Sequence, residues 1–411
     1  MNEENASRTA ITYRYEKWRA IAAGVLETAG TTFLLLIAVR YFHAGALAKG
    51  LVASGGSVGL MLGPAVVSMV ARLGWSSSRA AALLAGVGAG VVLLMAALPF
   101  LPVFVVGSML GMTATSAAIP LLTQMYHENY PEKARGKIFS KTVMIRIAVA
   151  AAFSQLAGQA YSGRIEKFQS LLLIFAAAFA VAAFSLAQIP TKPLVGDEGS
   201  HPFRALRFAY HDQLFRRTLI CWMLMGFANL MMIPMRVEML ANPKYGIALN
   251  VGQIAFLTGV VPNVARILLS PLWGWLFDRA NFFVLRVVLN CGFAIGILTF
   301  FTSSDMTGLV IGAIVFGISN AGGDIAWSLW VTKFAPENRV ADYMSVHTFF
   351  TGVRGLLAPI TAFQLAKTLE LTTLGWIAAG LIVLASVLLL PEIKFGKRAK
   401  AKEPLVEEVS E

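Results

Sequence analysis

Among the charged side chains that interrupt long apolar runs of the sequence are Glu27, Arg146, Arg266, Asp324 and Arg354. An ionised group at the centre of a bilayer costs about 2.5–3.5 kcal/mol on insertion scales, so residues of this kind face a cavity or a partner. Each sits among other polar groups at helical spacing. Glu27 is next to Thr28 and one turn from Thr31. Asp324 is in line with Asn320 and Ser328, Arg266 with Asn263 and Ser270, and Arg354 with His347 and Thr351. Asn229, ahead of Pro234, adds an uncharged polar group on a run whose methionines (Met223, Met225, Met231, Met232) form an adaptable apolar wall or plain packing.

Two chemistries follow from these residue types. Carboxyl groups held in a low dielectric titrate closer to neutrality, so Glu27 and Asp324 are candidates to exchange protons. A guanidinium stays charged and suits carboxylate or phosphate groups, so Arg146 and Arg354 are candidates either to bind an anionic solute or to pair with one of the acids. A permanent ion pair, such as Glu27 with Arg146, is the structural alternative, and for Arg266 the two readings balance.

The elements that must position these groups are membrane-spanning helices. Of 411 residues, 57% are hydrophobic and 14% charged, against roughly 45–50% apolar and 25% charged in soluble domains. Apolar runs recur at 21–42, 50–71, 79–99, 101–125, 142–162, 168–189, 218–240, 251–275, 283–302, 307–331, 343–366 and 372–391. Each has about the 20 residues that a helix rising 1.5 Å per residue needs to cross a hydrocarbon core roughly 30 Å thick. They are apolar on all sides, whereas barrel strands alternate over about ten residues. The expected fold is therefore an all-α integral membrane protein of twelve spans. Residues 1–19 are polar and charged and show no signal-peptide pattern, so the first span is expected to direct insertion.

The loops orient the chain. With twelve spans, one side carries twenty-four basic residues, among them Arg72, Arg79, Arg135, Arg279 and Arg339. The other side carries only Arg40, Lys49, Arg164, Lys167, Lys244 and Lys367, and the last four of the 34 lie within the spans. The positive-inside rule places both termini in the cytoplasm of a plasma membrane, such as the bacterial inner membrane. The net charge of +12 is spread over short loops and does not indicate a nucleic-acid partner.

An internal repeat divides the spans. Pro64 and Arg72, after the second span, recur 207 positions later as Pro271 and Arg279 after the eighth. Tyr130-Pro131-Glu132-Lys133-Ala134-Arg135 is matched by Ala335-Pro336-Glu337-Asn338-Arg339 at offsets of 205 and 204. Matched order, offset and position point to a duplicated six-helix unit, a recurrent transporter plan with the solute site between the halves near the midplane. The expected organisation is an N-terminal segment 1–20, a six-helix bundle 21–189, a linker with an interfacial amphipathic helix 190–217, a second bundle 218–391 and a tail 392–411. Gly55, Gly59 and Gly63 repeat at every fourth residue of the second span, a pattern for close helix contact.

Gly274-Trp275-Leu276-Phe277-Asp278-Arg279 resembles the Gly-x-x-x-Asp-Arg signature of the major facilitator superfamily, and the prolines and arginines at 131–135 and 336–339 are also similar to it. The first half departs from the signature, with Val67 and Ala71 where the family has Gly and Asp. The resemblance implies two pseudo-symmetric six-helix bundles, alternating access, and a role in the cytoplasmic gate for Asp278 and Arg279, joined by Arg72, Arg135 and Arg339. It also implies that spans one, four, seven and ten line a central cavity, where Glu27, Asn229, Asn320 and Asp324 fall. The fourth span carries Ala118 at the position of Asp324, so the halves are chemically unequal.

The function expected is secondary transport of a small-molecule substrate by a monomer in a lipid bilayer, with protons as the candidate coupling ion. No phosphate-cradling Gly-x-x-x-x-Gly-Lys-Ser/Thr loop is present to feed on nucleotide hydrolysis. An enzyme is not expected: there is no His-Glu-x-x-His pair, and the five histidines are scattered. Cys221 and Cys291 lie inside apolar runs, so neither a metal site nor a cofactor is expected. The alternative is a transport-inactive sensor or scaffold built on the same fold.

Overall fold

The computed structural model describes residues 3–194, 204–333, 335 and 340–393. Among them regular structure is helical, and eleven helices are long and apolar enough to cross a membrane. They are α1 (Ala6–Arg40), α2 (Ala46–Arg72), α3 (Ser77–Ala97), α4 (Leu101–Asn129), α5 (Ala134–Ala160), α6 (Ile165–Ala187), α7 (Gln213–Ala241), α8 (Val251–Arg279), α9 (Phe282–Thr302), α10 (Met306–Trp327) and α12 (Leu371–Glu392). Between the last two runs α11 (Val340–Leu365), the remaining expected span. It is less apolar because His347, Thr351 and Arg354 stand in its middle.

Side chains at the helix ends show why the runs break where they do. Asn281 accepts from the backbone of Phe283 and Val284 at the start of α9, and Asp305 accepts from Gly308 N at the start of α10. Asn250 and Gln253 form a reciprocal capping box at the start of α8. These oxygens satisfy N–H groups that a helix leaves open in its first turn.

The chain forms two compact units, Met1–Pro202 with Leu240–Val260, and Phe203–Met239 with Val261–Glu411. In the first unit the glycine stripe of α2 lies against α4. A Cβ on Gly55 would come 2.9 Å from Met109 Cα, and one on Gly59 would come 2.7 Å from Ala117 N. Only glycine permits that approach, which also lets Thr113 Oγ1 donate to Gly55 O at 3.0 Å. Gly24 plays the same part between α1 and α5, where a Cβ would be 2.5 Å from Arg146 O.

Two helices of this unit contain π-helical turns, Ala29–Phe33 in α1 and Phe256–Val260 in α8. They meet, with Thr32 Oγ1 and Thr258 Oγ1 3.0 Å apart. Nearby, Gly158 of α5 takes the Ala255 side of α8, and Arg40 donates to the carbonyls of Ala241 and Leu249. A cation there meets the carbonyl end of α7, where the helix dipole favours it.

In the second unit Gly317 and Gly322 of α10 admit Pro262 and Trp273 of α8, and Trp273 Nε1 donates to Ile318 O at 2.8 Å. Gly296 and Gly312 bring α9 and α10 together against Phe316 and Phe300. α12 is tied to α9 by Asn290 Nδ2 donating to Ser386 Oγ at 3.0 Å. Beneath lies an aromatic core in which Trp222 stacks on Trp330 at 4.9 Å and Phe215 on Trp330 at 5.6 Å. Of the expected linker helix, Arg204–Arg207 and Phe208–His211 form short helical turns. Phe208 is buried and stacks on Tyr343.

Candidate functional site

Glu27, Arg146, Arg266, Asp324 and Arg354 fall, among the described residues, into two ion pairs and one cationic cluster. In the first unit Arg146 Nε lies 3.2 Å from Glu27 Oε2. The close contact of α1 and α5 at Gly24 sets that distance. Glu27 stands two residues before the π-helical turn of α1, and Thr31 Oγ1 donates to its carbonyl at 2.9 Å. Such turns release a backbone carbonyl from the regular ladder and recur at functional positions.

In the second unit Arg266 of α8 donates from Nε to Asp324 Oδ2 of α10 at 2.5 Å. Its Nη1 reaches Asn263 Oδ1 at 3.3 Å, and Ser270 Oγ donates to its carbonyl. The polar stripe read along α8 therefore holds one arginine in place. The pair is unequal: 9% of the Arg266 side chain is exposed and 45% of the Asp324 side chain. The carboxylate end is half-exposed while the guanidinium is not. Asn320, one turn before Asp324, is half-buried.

His347 and Arg354 join a third group. Arg354 Nη1 donates to Trp222 O at 2.6 Å, and Arg286 lies over the Trp222 ring at 3.8 Å and reaches Met225 Sδ at 3.3 Å. The His347 ring is 5.0–5.6 Å from the rings of Trp222, Trp327 and Trp330. Both its nitrogens are buried without a hydrogen-bond partner among the described residues. Gly226 makes room for this group: a Cβ there would fall on the guanidinium of Arg354. Asn229, two residues before Met231, is half-buried, with its Oδ1 likewise without a partner.

The residues expected at the gate lie at helix ends. Arg72 is exposed at the end of α2, and Asp278 is exposed without an ion pair among the described residues. Arg279 lies over the Trp275 ring at 4.7 Å. Arg135 donates to the carbonyls of His127 and Tyr130, closing the end of α4. Arg339 lies outside the described residues.

The family model described as Major Facilitator Superfamily matches residues 20–359 and, in a second match, 248–409. The chain belongs to the major facilitator superfamily. Solved structures of similar fold include a variant of the nucleoside transporter NupG, with a TM-score of 0.76 and 15% identity over 92% of this chain and 99% of that one. A D-xylose-proton symporter gives 0.66 and 16% over 94% and 96%, and the human organic anion transporter MFSD10 gives 0.66 and 12% over 94% and 99%. No curated relative matches the chain in sequence. The protein is thus a multi-pass membrane transporter of this superfamily.

Within that superfamily fold, two buried arginines went unassigned by sequence reasoning. Arg286, at the start of the run 283–302, counts by position among the cytoplasmic-side basic residues, yet it is 3% exposed beside Trp222. Arg236 is 8% exposed and lies over the Phe316 ring at 3.8 Å. Its signal was in the sequence, a fourth cation within the spans, two residues after Pro234.

Proposed function

We propose that this transporter is a secondary active carrier working by alternating access, with proton movement coupled to solute movement through the Asp324–Arg266 pair. The observation that carries the reading is the inequality of that pair, a half-exposed carboxylate bound to a guanidinium that is buried. Protonation of Asp324 from the water side removes its charge and leaves Arg266 without a counter-charge. The arginine must then find another anion or move, and a two-state change in the bundle follows. Glu27–Arg146 is the corresponding pair of the first bundle, and Asn229, Asn320, His347 and Arg354 are the further candidates for solute contact.

In this reading the bundles comprise residues 21–189 and 218–391, both termini are cytoplasmic, and the protein works as a monomer in a bacterial-type inner membrane. Arg72, Arg135, Asp278, Arg279 and Arg339 then lie on the cytoplasmic side, where they control opening. The neighbours' names supply the first solutes to try: nucleosides, D-xylose, peptides and organic anions.

The test uses purified protein in liposomes with an imposed pH gradient, screening those solutes for uptake or efflux. A solute whose flux follows the gradient in the wild type is expected to lose that dependence in Asp324→Asn, with the protein still folded. Undiminished gradient-driven flux in the variant would sink the coupling role.

A further inference from the structure

We propose that the outward face of α1, beside the end of α6 in the first unit, is a binding site for the headgroup of an anionic phospholipid. The first twenty residues carry four basic side chains, and the fold sorts them into two kinds. Arg8 pairs with Glu128 and also donates to Asn129 Oδ1 at 3.1 Å. Arg19 takes both oxygens of Glu16, each at 2.6 Å, and donates to the Tyr126 hydroxyl at 3.0 Å. These two have their counter-charges within the protein. Arg14 and Lys17 are exposed and form no ion pair among the described residues. Arg14 lies over the Tyr15 ring at 5.9 Å and Lys17 over the Tyr13 ring at 5.1 Å. A π face attracts a cation but supplies no counter-charge.

The helical period puts Ile11, Arg14, Lys17, Trp18 and Ile21 on one side of α1, and all five are exposed. Glu16, the acid within that stretch, is on the opposite side and buried. Twenty-two residues separate Trp18 from Arg40 at the other end of α1, about 33 Å at 1.5 Å per residue, which matches a hydrocarbon core roughly 30 Å thick. Trp18, 57% exposed, therefore stands at the boundary where indole rings collect. Arg14 and Lys17 then stand in the headgroup layer, and Ile21 at the start of the acyl chains.

The end of α6 continues the apolar side of this surface. Tyr15 meets the Phe184 ring edge-on at 6.4 Å, and Phe184 is 62% exposed, with exposed Val181 one turn deeper. A phosphate ester between Arg14 and Lys17, which are neighbours at three-residue spacing, puts its glycerol beside Trp18 and its chains along Ile21, Phe184 and Val181. A zwitterionic lipid brings its own cation beside the phosphate, whereas an anionic headgroup leaves a net charge for the two basic residues to balance. Free phosphate would use the two cations and gain nothing from Trp18, Ile21 or Phe184, so a lipid is the source that uses the whole face. The assignment does not rest on the coupling role of Asp324.

The experiment places the photoreactive residue p-benzoylphenylalanine at position 21 of the full-length protein, reconstituted in liposomes with phosphatidylcholine in excess over phosphatidylglycerol. Mass spectrometry then identifies the cross-linked lipid. Phosphatidylglycerol is expected to be enriched about fivefold or more over its bulk ratio, the factor that one basic residue near a headgroup layer supplies. Arg14→Gln with Lys17→Gln should return the ratio to bulk, and the charge-keeping swap Arg14→Lys with Lys17→Arg should retain the enrichment. Rising salt should lower it by screening. A bulk ratio with Arg14 and Lys17 intact, undiminished enrichment in the double Gln variant, its loss in the charge-keeping swap, or indifference to salt would each overturn the assignment. So would its loss on adding glycerol phosphate at constant ionic strength, which marks a site for free phosphate. Should the double Gln variant not fold, the salt series decides.

Discussion

Removing Asp324 should hurt the protein more than removing its partner, and the reason is burial. Truncating one member of a fully buried ion pair costs about 3–5 kcal/mol, because the other charge is left in a low dielectric without compensation. In Asp324→Ala the group left behind is Arg266, whose side chain is 9% exposed. The Asp324 side is 45% exposed, and in the reading that this side faces water, screening lowers the loss to ~2 kcal/mol. The weak contact to Asn263 Oδ1 at 3.3 Å softens it little. Arg266→Gln leaves instead a carboxylate that water can solvate, with an expected loss of ~1 kcal/mol or less. The double variant should resemble Arg266→Gln, because the unbalanced charge is gone. Midpoints of unfolding for the four proteins, in one detergent at one pH, form the cycle. If Arg266→Gln is the more damaged single variant, or the two losses simply add, the burial argument is wrong.

Two more consequences concern packing and a helix end. Gly226→Ala places a methyl group on the Arg354 guanidinium, so it should destabilise by about 1–3 kcal/mol and become nearly neutral in an Arg354→Ala background; equal effects in both backgrounds would show that Arg354 does not use that space. Arg40→Ala removes the donor to Ala241 O and Leu249 O. Hydrogen bonds from charged donors are worth about 1.5–3 kcal/mol, so amide exchange over residues 241–250 should quicken by tenfold or more, and an unchanged rate would mean that the turn holds without Arg40.

Much of the fold is legible in one dimension because a bilayer imposes its own length and polarity. A helix in lipid must be apolar over about 20 residues, and that requirement marks every run from α1 to α12 without reference to partners. The glycine stripe of α2 is similarly readable, since close helix approach in a membrane needs small residues at four-residue spacing, and it lies against α4 as that spacing implies. The charged candidates are legible for the same reason, by the cost of placing them there.

Which charge meets which is another matter. Spacing along α8 aligns Asn263, Arg266 and Ser270, but nothing in it names Asp324, 58 positions away on α10. That pairing depends on α10 presenting glycine to Pro262 and Trp273, a contact between helices. Arg286 and Arg236 show the opposite failure: one counts with the cytoplasmic-side basic residues and the other as one more cation within the spans, and only three-dimensional packing buries them against Trp222 and Phe316. Local sequence determines where a helix crosses the membrane and which residues share its face, because both follow from the rise and period of a single helix. Tertiary structure alone decides whether a charge on that face finds an acid or an aromatic ring, because the energy of a charge depends on what neighbouring helices bring within a few ångströms of it.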